Sequence, residues 1–389
     1  MIVVGGTYQE TCRDPYFLAM LGSGLRAAAC LALVEPAVQL HSAVEHASFE
    51  VARATAAGLS LNGPVWSERS TAVGFHYETP LSSPRLFGRE SRLIEPIDVA
   101  ADTVLAFGMV EGPAGVQAQS LIVDPQHDIG LDALKAFDPK RLALLASGPE
   151  IVSLGGGLSV EASAAALLDM LPADVVIAKL GALGALVVTR DGSEGVGPRP
   201  TARTWPIGSG DAFSAGFAWA WGSQGAAAVE AARVGSAAAA AWCSTQTLPL
   251  PQQAFTQYPS ALRRRPRVYL AGPFFDVAQR WLVDLAARSL TQLGAEVFSP
   301  FHEVGIGGTD VAALDLAGLA HCDSVLALLD GLDAGTVFEV GWATCAEMPV
   351  VAFCQRCDEA DLTMVGGSGT VVYDDLSSAV YAAVWAGSE

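Results

Sequence analysis

Gly208-Ser209-Gly210-Asp211 runs straight into the small and apolar residues Ala212-Phe213-Ser214-Ala215-Gly216-Phe217. A glycine turn that opens a helix leaves backbone N–H groups free at the positive end of the helix dipole, a site for an anion such as phosphate. The glycines let the backbone approach that ligand closely. Asp211 stands in the first turn, where its carboxylate can take a proton from an attacking hydroxyl. An anion cradle beside a single base suits phosphoryl transfer. The alternative is an ordinary glycine turn with an Asp near a helix N-cap.

A second group of reactive residues lies beyond residue 267. Val268-Tyr269-Leu270-Ala271-Gly272-Pro273-Phe274-Phe275 is followed by Ser299-Pro300 and His302. Asp323 and Asp330 then flank the apolar run Val325–Leu329, and Asp333-Ala334-Gly335-Thr336-Val337-Phe338-Glu339-Val340-Gly341 follows. Cleavage of an N-glycosidic bond passes through an oxocarbenium-like state, so a carboxylate on the face opposite the base can trap the anomeric carbon.

Both groups need elements to position them. Strand-like runs alternate with Ala/Leu-rich helical runs throughout, the mark of α/β layers around a mainly parallel sheet. In the first half the expected strands are 2–5, 103–110, 120–124, 150–153, 174–179 and 184–189, and the expected helices 23–34, 160–171, 211–222 and 226–243. Residues 61–100 are richer in Pro, Ser and Arg and could supply a small β lid. Residues 247–266 carry Pro249, Pro251, Pro259 and Pro266 and are read as a linker between domains 1–246 and 267–389. Strands at 267–271, 295–298, 324–329 and 349–353, with helices at 275–293, 309–320, 335–346 and 375–386, then suit a small doubly wound, Rossmann-like sheet.

Composition narrows the function classes. Hydrophobic residues make up 51% and charged residues 16% of 389, which fits compact domains. A net charge of −19, with no basic stripe beyond Arg263-Arg264-Arg265-Pro266-Arg267, argues against polymeric nucleic acid as a partner. Local N–H cradles still leave room for small phosphates. No apolar run reaches the ~18 residues of a membrane span, and Met1 is followed at once by the strand-like Ile2-Val3-Val4, so a cytoplasmic protein with no membrane partner is expected. Seven scattered cysteines are read as reduced thiols, Cys354 and Cys357 included; with no second ligand pair at zinc spacing, no metal site is expected from them.

The stretch 208–217 resembles the C-terminal signature of the ribokinase-like (PfkB) carbohydrate and nucleoside kinases. Three further segments fit that resemblance: Gly22-Ser23-Gly24 near the sugar, Lys179-Leu180-Gly181-Ala182-Leu183-Gly184 beside the nucleotide, and the small residues Gly235–Ala238. The resemblance implies ATP and Mg2+, with Gly208, Ser209, Gly210, Lys179 and Gly181 around the nucleotide, Gly22 and Gly24 around the acceptor, and Asp211 as base. It departs in two places. Arg26 and Ala27 stand where the family has Asn, and only Glu10 or Asp14 could replace its sugar-binding Asp. Glu161 would orient magnesium, but Leu158 replaces the Asn of the usual Asn-x-x-Glu, and Glu161 can equally be a plain first-turn residue.

Residues 268–343 resemble the nucleoside 2-deoxyribosyltransferases and related nucleoside N-glycosidases, with four separated motifs in register. That resemblance implies Glu339 as nucleophile and Asp323 or Asp330 contacting the base or assisting its protonation, with Tyr269 placed to orient the nucleophile or hydrogen-bond the sugar. Gly272, Pro273 and Phe274 would form the loop over the sugar, with Asp333 and His302 nearby. Apolar residues in that loop favour a nucleoside over a nucleotide, with Arg280 leaving the question open. A neighbouring subunit would complete the pocket near 361–370, where Asp361, Thr363 and Ser368 are candidates, so a homo-oligomer is expected. The expectation is a bifunctional enzyme: N-glycosidic cleavage or transfer, without a cofactor, and ATP-dependent phosphorylation of a sugar or nucleoside. The alternative is an N-glycosidase effector whose degenerate kinase domain senses a nucleotide.

Overall fold

The computed structural model describes residues 1–388 apart from 127–128, 158, 257–263, 306 and 308, and only the backbone of 309 and 310. The chain divides into two compact units, each described by itself. The first comprises Met1–Leu180, Gly184–Arg199 and Trp205–Ala261, the second Gly181–Leu183, Pro200–Thr204 and Leu262–Glu389.

Among the described residues, the first unit is built on a nine-stranded sheet. Its strands run in the order Gly192–Val196, Ala185–Thr189, Val175–Lys179, Arg141–Ser147, Gly115–Asp124, Asp98–Phe107, Ile2–Val4, Gln39–Val44 and Val65–Glu68. Ala185–Thr189 pairs antiparallel with both Gly192–Val196 and Val175–Lys179, and the remaining pairs are parallel. Central strands read as unbroken apolar runs (Leu142-Ala143-Leu144-Leu145-Ala146, Val175-Val176-Ile177-Ala178) because both faces are covered. One face carries the helices Gly22–Leu31, Ser209–Phe217 and Ala228–Thr245, the other Val160–Met170. A separate four-stranded sheet, Phe17–Met20, Gln9–Cys12, Gly74–Tyr77 and Arg85–Phe87, forms a smaller layer. Two of its strands come from 9–20, so the lid-like segment is not confined to residues 61–100.

The run 150–153, expected as a strand, is helical. Ser147 and Glu150 form a reciprocal capping box with Pro149 in the first turn, and the helix Gly148–Gly155 follows. Apolar Ile151-Val152 imitates a strand in sequence, and the cap decides against it. In the Pro-rich stretch, the short turn Gln252–Phe255 buries Ala254 and Phe255 in the first unit's core. Part of the presumed linker, 257–263, lies outside the described residues.

Among the described residues, the second unit has five parallel strands in the order Glu296–Phe298, Arg267–Ala271, Ser324–Leu328, Val350–Phe353 and Val371–Tyr373. In chain order this is 2-1-3-4-5, whose direction reverses between Arg267–Ala271 and Ser324–Leu328. Ligands of such sheets bind at the carboxyl ends of the strands beside that reversal. The last helix, Leu376–Gly387, contributes Ala379, Val380, Ala383 and Val384 to the buried interior, so the C-terminal segment is part of the core. Among the described residues no single helix is long and apolar enough to cross a membrane.

Gly24 shows how tightly the first unit's site is framed: a Cβ there would lie 2.4 Å from the Gly5 carbonyl oxygen. Only glycine lets this helix start approach the Ile2–Val4 strand end. Gly24→Ala is expected to destabilise the first unit by about 1–3 kcal/mol, the usual cost of overpacking against a backbone that cannot retreat. Chemical denaturation of the full chain with the first unit's tryptophans as probe measures it, and an unchanged midpoint contradicts the close-approach argument.

Candidate active sites

In the first unit the turn before Asp211 is fixed from behind. The Trp242 indole, fully buried, donates to the Ile207 carbonyl at 2.7 Å. Gly208 follows with φ +80°, a left-handed conformation natural to glycine, and the helix Ser209–Phe217 begins. Asp211 is 7% exposed and has both oxygens engaged. Oδ2 accepts from Arg26 Nη1 at 2.6 Å and Oδ1 from Gln126 Nε2 at 2.9 Å. Arg26, itself buried, also pairs with Glu10, whose other oxygen accepts from the Gly22 N–H at 3.1 Å. Burial pushes the Asp211 carboxyl up, opposed chiefly by the Arg26 charge.

On the other side of the turn, Lys179 Nζ lies 2.5 Å from Asp124 Oδ2, which also accepts from Ser214 Oγ at 2.7 Å. A Cβ on Gly210 would sit 3.4 Å from the Lys179 ammonium, so Lys179 flanks the helix start. Asp124 Oδ1 is buried without a partner, and burial pushes this carboxyl up to about 6 against the pull of Lys179. Glu150 contributes to the field at Lys179. The helix N-terminus, the Lys179 cation and the waiting Asp124 oxygen fit a phosphate arriving with a divalent cation. Glu161 is elsewhere: it is exposed, and its carboxylate accepts from the Ser193 hydroxyl. The Asn-x-x-Glu register around Leu158 falls partly outside the described residues. The spacing Ser147-Gly148-Pro149-Glu150 instead places a carboxylate at the carboxyl end of the Arg141–Ser147 strand, with Ser147 paired to Lys179. Gly22 and Gly24 open the helix that carries Arg26, and Gly181 adopts φ +57° after Lys179.

In the second unit Tyr269 and Glu339 meet at the sheet reversal. The Tyr269 hydroxyl donates to Glu339 Oε1 at 2.6 Å, and the ring stacks on Phe298 with centroids 5.6 Å apart. Glu339 lies on the helix Ala334–Cys345, whose N-cap is Asp333. That carboxylate accepts from Thr336 N at 2.9 Å and from Thr336 Oγ1 at 3.1 Å. Burial pushes Glu339 up to about 7; the Tyr269 hydrogen bond pulls it down, while Asp315 and Asp333 push it further up.

Asp315 is the residue that reading the sequence missed. It sits half-buried on the helix Thr309–Leu319, with Oδ1 buried and unpartnered, and burial raises its carboxyl. A lone carboxylate in the apolar run Val311–Leu319 was the available signal.

Asp323 lies at the amino end of its strand, away from Glu339. It accepts from Arg264 Nη2 and Arg267 N, each at 2.7 Å, and the Arg264 hydrogen bond lowers its pKa. Asp330, at the carboxyl end, accepts from Gln355 N at 2.9 Å and Arg356 N at 2.8 Å. Those bonds fold the turn that brings Cys354 and Cys357 into a disulfide, contrary to the expectation of two free thiols. Gly272 and Pro273 continue from the Tyr269 strand, and Phe274 packs on Phe301 at 5.3 Å, giving an apolar wall over the carboxyl edge. Arg280 Nε is turned onto the Phe274 carbonyl at 2.9 Å. His302 is exposed and occupied by Ser299 Oγ at 2.9 Å and Asp284 Oδ1 at 2.8 Å, so the structure does not bring it to Glu339. Met364 is 82% exposed on the short helix Thr363–Gly367.

Residues 144–251 match the family model of the pfkB family carbohydrate kinases, and residues 268–375 that of the nucleoside 2-deoxyribosyltransferases. No curated protein matches the chain. Among solved structures, aminoimidazole riboside kinase from Salmonella enterica, complexed with aminoimidazole riboside and an ATP analogue, is similar at 14% identity and a TM-score of 0.52, covering 65% of this chain and 98% of its own. Fructokinase from Vibrio cholerae O395, with fructose, ADP and calcium bound, is similar at 15% identity and a TM-score of 0.50, over 65% of this chain and 97% of its own. At such identities the likeness concerns fold alone. The chain thus has a ribokinase-like α/β domain resembling the pfkB kinases, followed by a small Rossmann-like domain resembling the nucleoside 2-deoxyribosyltransferases.

Proposed function

We propose that the second unit cleaves or transfers the N-glycosidic bond of a nucleoside through Glu339, and that the first unit transfers a phosphoryl group from ATP to a sugar or nucleoside. The observation that carries the reading is the Tyr269–Glu339 hydrogen bond at 2.6 Å, set at the sheet reversal beside Asp333 and Asp315. The free Glu339 oxygen attacks the anomeric carbon on the face opposite the base, and the C–N bond electrons leave with the base. Tyr269 fixes the other oxygen. The departing base nitrogen takes its proton from water, and Asp315 is the nearby carboxyl able to relay it. Water or a second base then opens the glycosyl ester. The Phe274–Phe301 wall favours an uncharged sugar 5′ end, hence a nucleoside, and a neighbouring subunit supplying polar groups from the 361–370 segment would complete the pocket.

In the first unit the Ser209–Phe217 helix start and Lys179 hold the phosphates, while Asp124 and Glu150 offer oxygens to Mg2+, which when bound neutralises phosphate charge. Asp211 takes the acceptor proton. A second reading, a nucleotide-sensing module that regulates the glycosidic unit, is favoured by one observation: Arg26 already occupies Asp211.

Glu339→Gln is expected to slow base release at least a thousandfold, about 4 kcal/mol of transition-state stabilisation. The test is release of free base from a nucleoside panel, and wild-type rates in this variant overturn the assignment.

The nucleophile works as a carboxylate, so kcat/KM should rise with pH through about 7, where Glu339 loses its proton. Tyr269→Phe removes a hydrogen bond that stabilises the charged form, so the same limb should move to higher pH. A limb that stays in place, or moves down, contradicts the role given to Tyr269.

Asp211→Asn is expected to abolish γ-phosphate transfer while keeping nucleotide affinity within about tenfold, because the cradle is backbone. Calorimetric titration with ATP-Mg, beside a transfer assay across sugars and nucleosides, separates the two effects. A variant that still transfers at the wild-type rate removes Asp211 from the mechanism.

A further inference from the structure

Arg26 is the most unusual side chain in the first unit. It rises from the helix Gly22–Leu31, where its neighbours are Gly, Ser, Leu, Ala and Cys, and it is 1% exposed. Its guanidinium spans two carboxylates from different layers: Glu10 of the four-stranded sheet and Asp211 of the turn-helix, the latter at 2.6 Å. Its flat face lies 5.2 Å from the Trp242 ring, and its Nε is buried without a hydrogen-bond partner. The turn is shaped around it, since a Cβ on Gly208 would fall 2.2 Å from Nε. Tyr77, from the same four-stranded sheet, lies in the combined field of Glu10, Arg26 and Asp211.

A buried charge that loses its partner is heavily penalised, so the arrangement holds itself closed. Its consequence for Asp211 is specific. Arg26 donates to one Asp211 oxygen and Gln126 to the other, and the adjoining Arg26 cation lowers the basicity that proton abstraction needs. We propose that Arg26 is a positioning residue that withholds Asp211 from acceptors, clasping the Gln9–Cys12 layer to the catalytic turn until an acceptor's own hydroxyls replace the guanidinium. This deepens the reading of the first unit as a phosphoryl-transfer site and rests on it. The clasp restricts the acceptor class to polyhydroxylated molecules able to satisfy Glu10 and Asp211 together; a single hydroxyl, as on a simple alcohol, leaves one carboxylate stranded.

Arg26→Asn and Arg26→Lys in the full chain test this. Asn removes the cation; Lys keeps the buried charge but lacks the two-pronged reach of guanidinium, so it protects the fold while weakening the clasp. Transfer from radiolabelled ATP-Mg to a sugar and nucleoside panel is measured alongside ATP affinity by calorimetry and secondary structure by circular dichroism. The expected result is a kcat rise of at least tenfold for Arg26→Asn and a smaller rise for Arg26→Lys, with the KM for ATP changed less than threefold. Simple alcohols should become acceptors only in the variants. A residue serving the fold alone would lower kcat or leave it unchanged. Folded variants that bind ATP with no gain in kcat overturn the clasp. If wild type and both variants neither bind ATP nor transfer, the phosphoryl-transfer reading itself falls, and the clasp with it.

Discussion

Each candidate site depends on taking a carboxylate out of water at the end of a helix-and-strand framework and keeping it reactive. Desolvation raises the free energy of the charged form, so the surroundings must supply either a compensating charge or a hydrogen bond. Asp211 and Glu339 receive opposite answers. Asp211 is held by a permanent cation, Arg26, whereas Glu339 is held by a neutral phenol, Tyr269. A phenol stabilises the carboxylate modestly and occupies one oxygen, leaving the other free for bond formation. A guanidinium stabilises it strongly and competes for the position a substrate hydroxyl would take. The same physical problem therefore leaves one carboxylate oxygen open in one unit and both engaged in the other.

Much of this was legible in the sequence. The second unit's central strands follow from short apolar runs bounded by Gly, Pro and Asp, and its helices from Ala/Leu periodicity, because a small parallel sheet buries its central strands on both faces. Glu339 and Tyr269 were identifiable from motifs whose spacing the sheet brings together. Two kinds of information were not. Ile151-Val152 reads as a strand until the Ser147–Glu150 capping box is considered, since short apolar runs carry no period of their own. Asp323 and Asp330 flank one strand symmetrically in sequence, yet sit at opposite ends of it, and only the carboxyl end faces Glu339. The edge a residue occupies depends on strand direction, which a pattern of types does not encode.

Arg26 and Asp315 were hidden for a related reason. Each is a lone charge in an apolar helix, and in sequence such a residue is equally a solvated exception on a helix face. What distinguishes Arg26 is the partner: Glu10 lies 16 positions from it and Asp211 lies 185 positions away. Pairing over such separations is a product of the fold. Burial then converts an unremarkable charge into the group that sets its neighbour's reactivity.

Charge balance at the Gly208–Asp211 turn has a further consequence. Lys179 and Arg26 face the carboxylates of Asp124, Asp211, Glu10 and Glu150, so negative groups outnumber positive ones around the helix start. A nucleotide phosphate adds to that excess, and the backbone N–H cradle offers only partial positive charge against it. Burial, with a smaller push from Asp211, raises the Asp124 carboxyl to about 6, and one of its oxygens is buried without a partner. Either protonation of Asp124 or a divalent cation on that oxygen would restore the balance. A cation held by Asp124 would neutralise phosphate and Asp124 together at neutral pH, with Lys179 beside them. The excess of acid at the turn is therefore better matched to a metal-bound nucleotide than to a bare one, although the protein as a whole is strongly acidic.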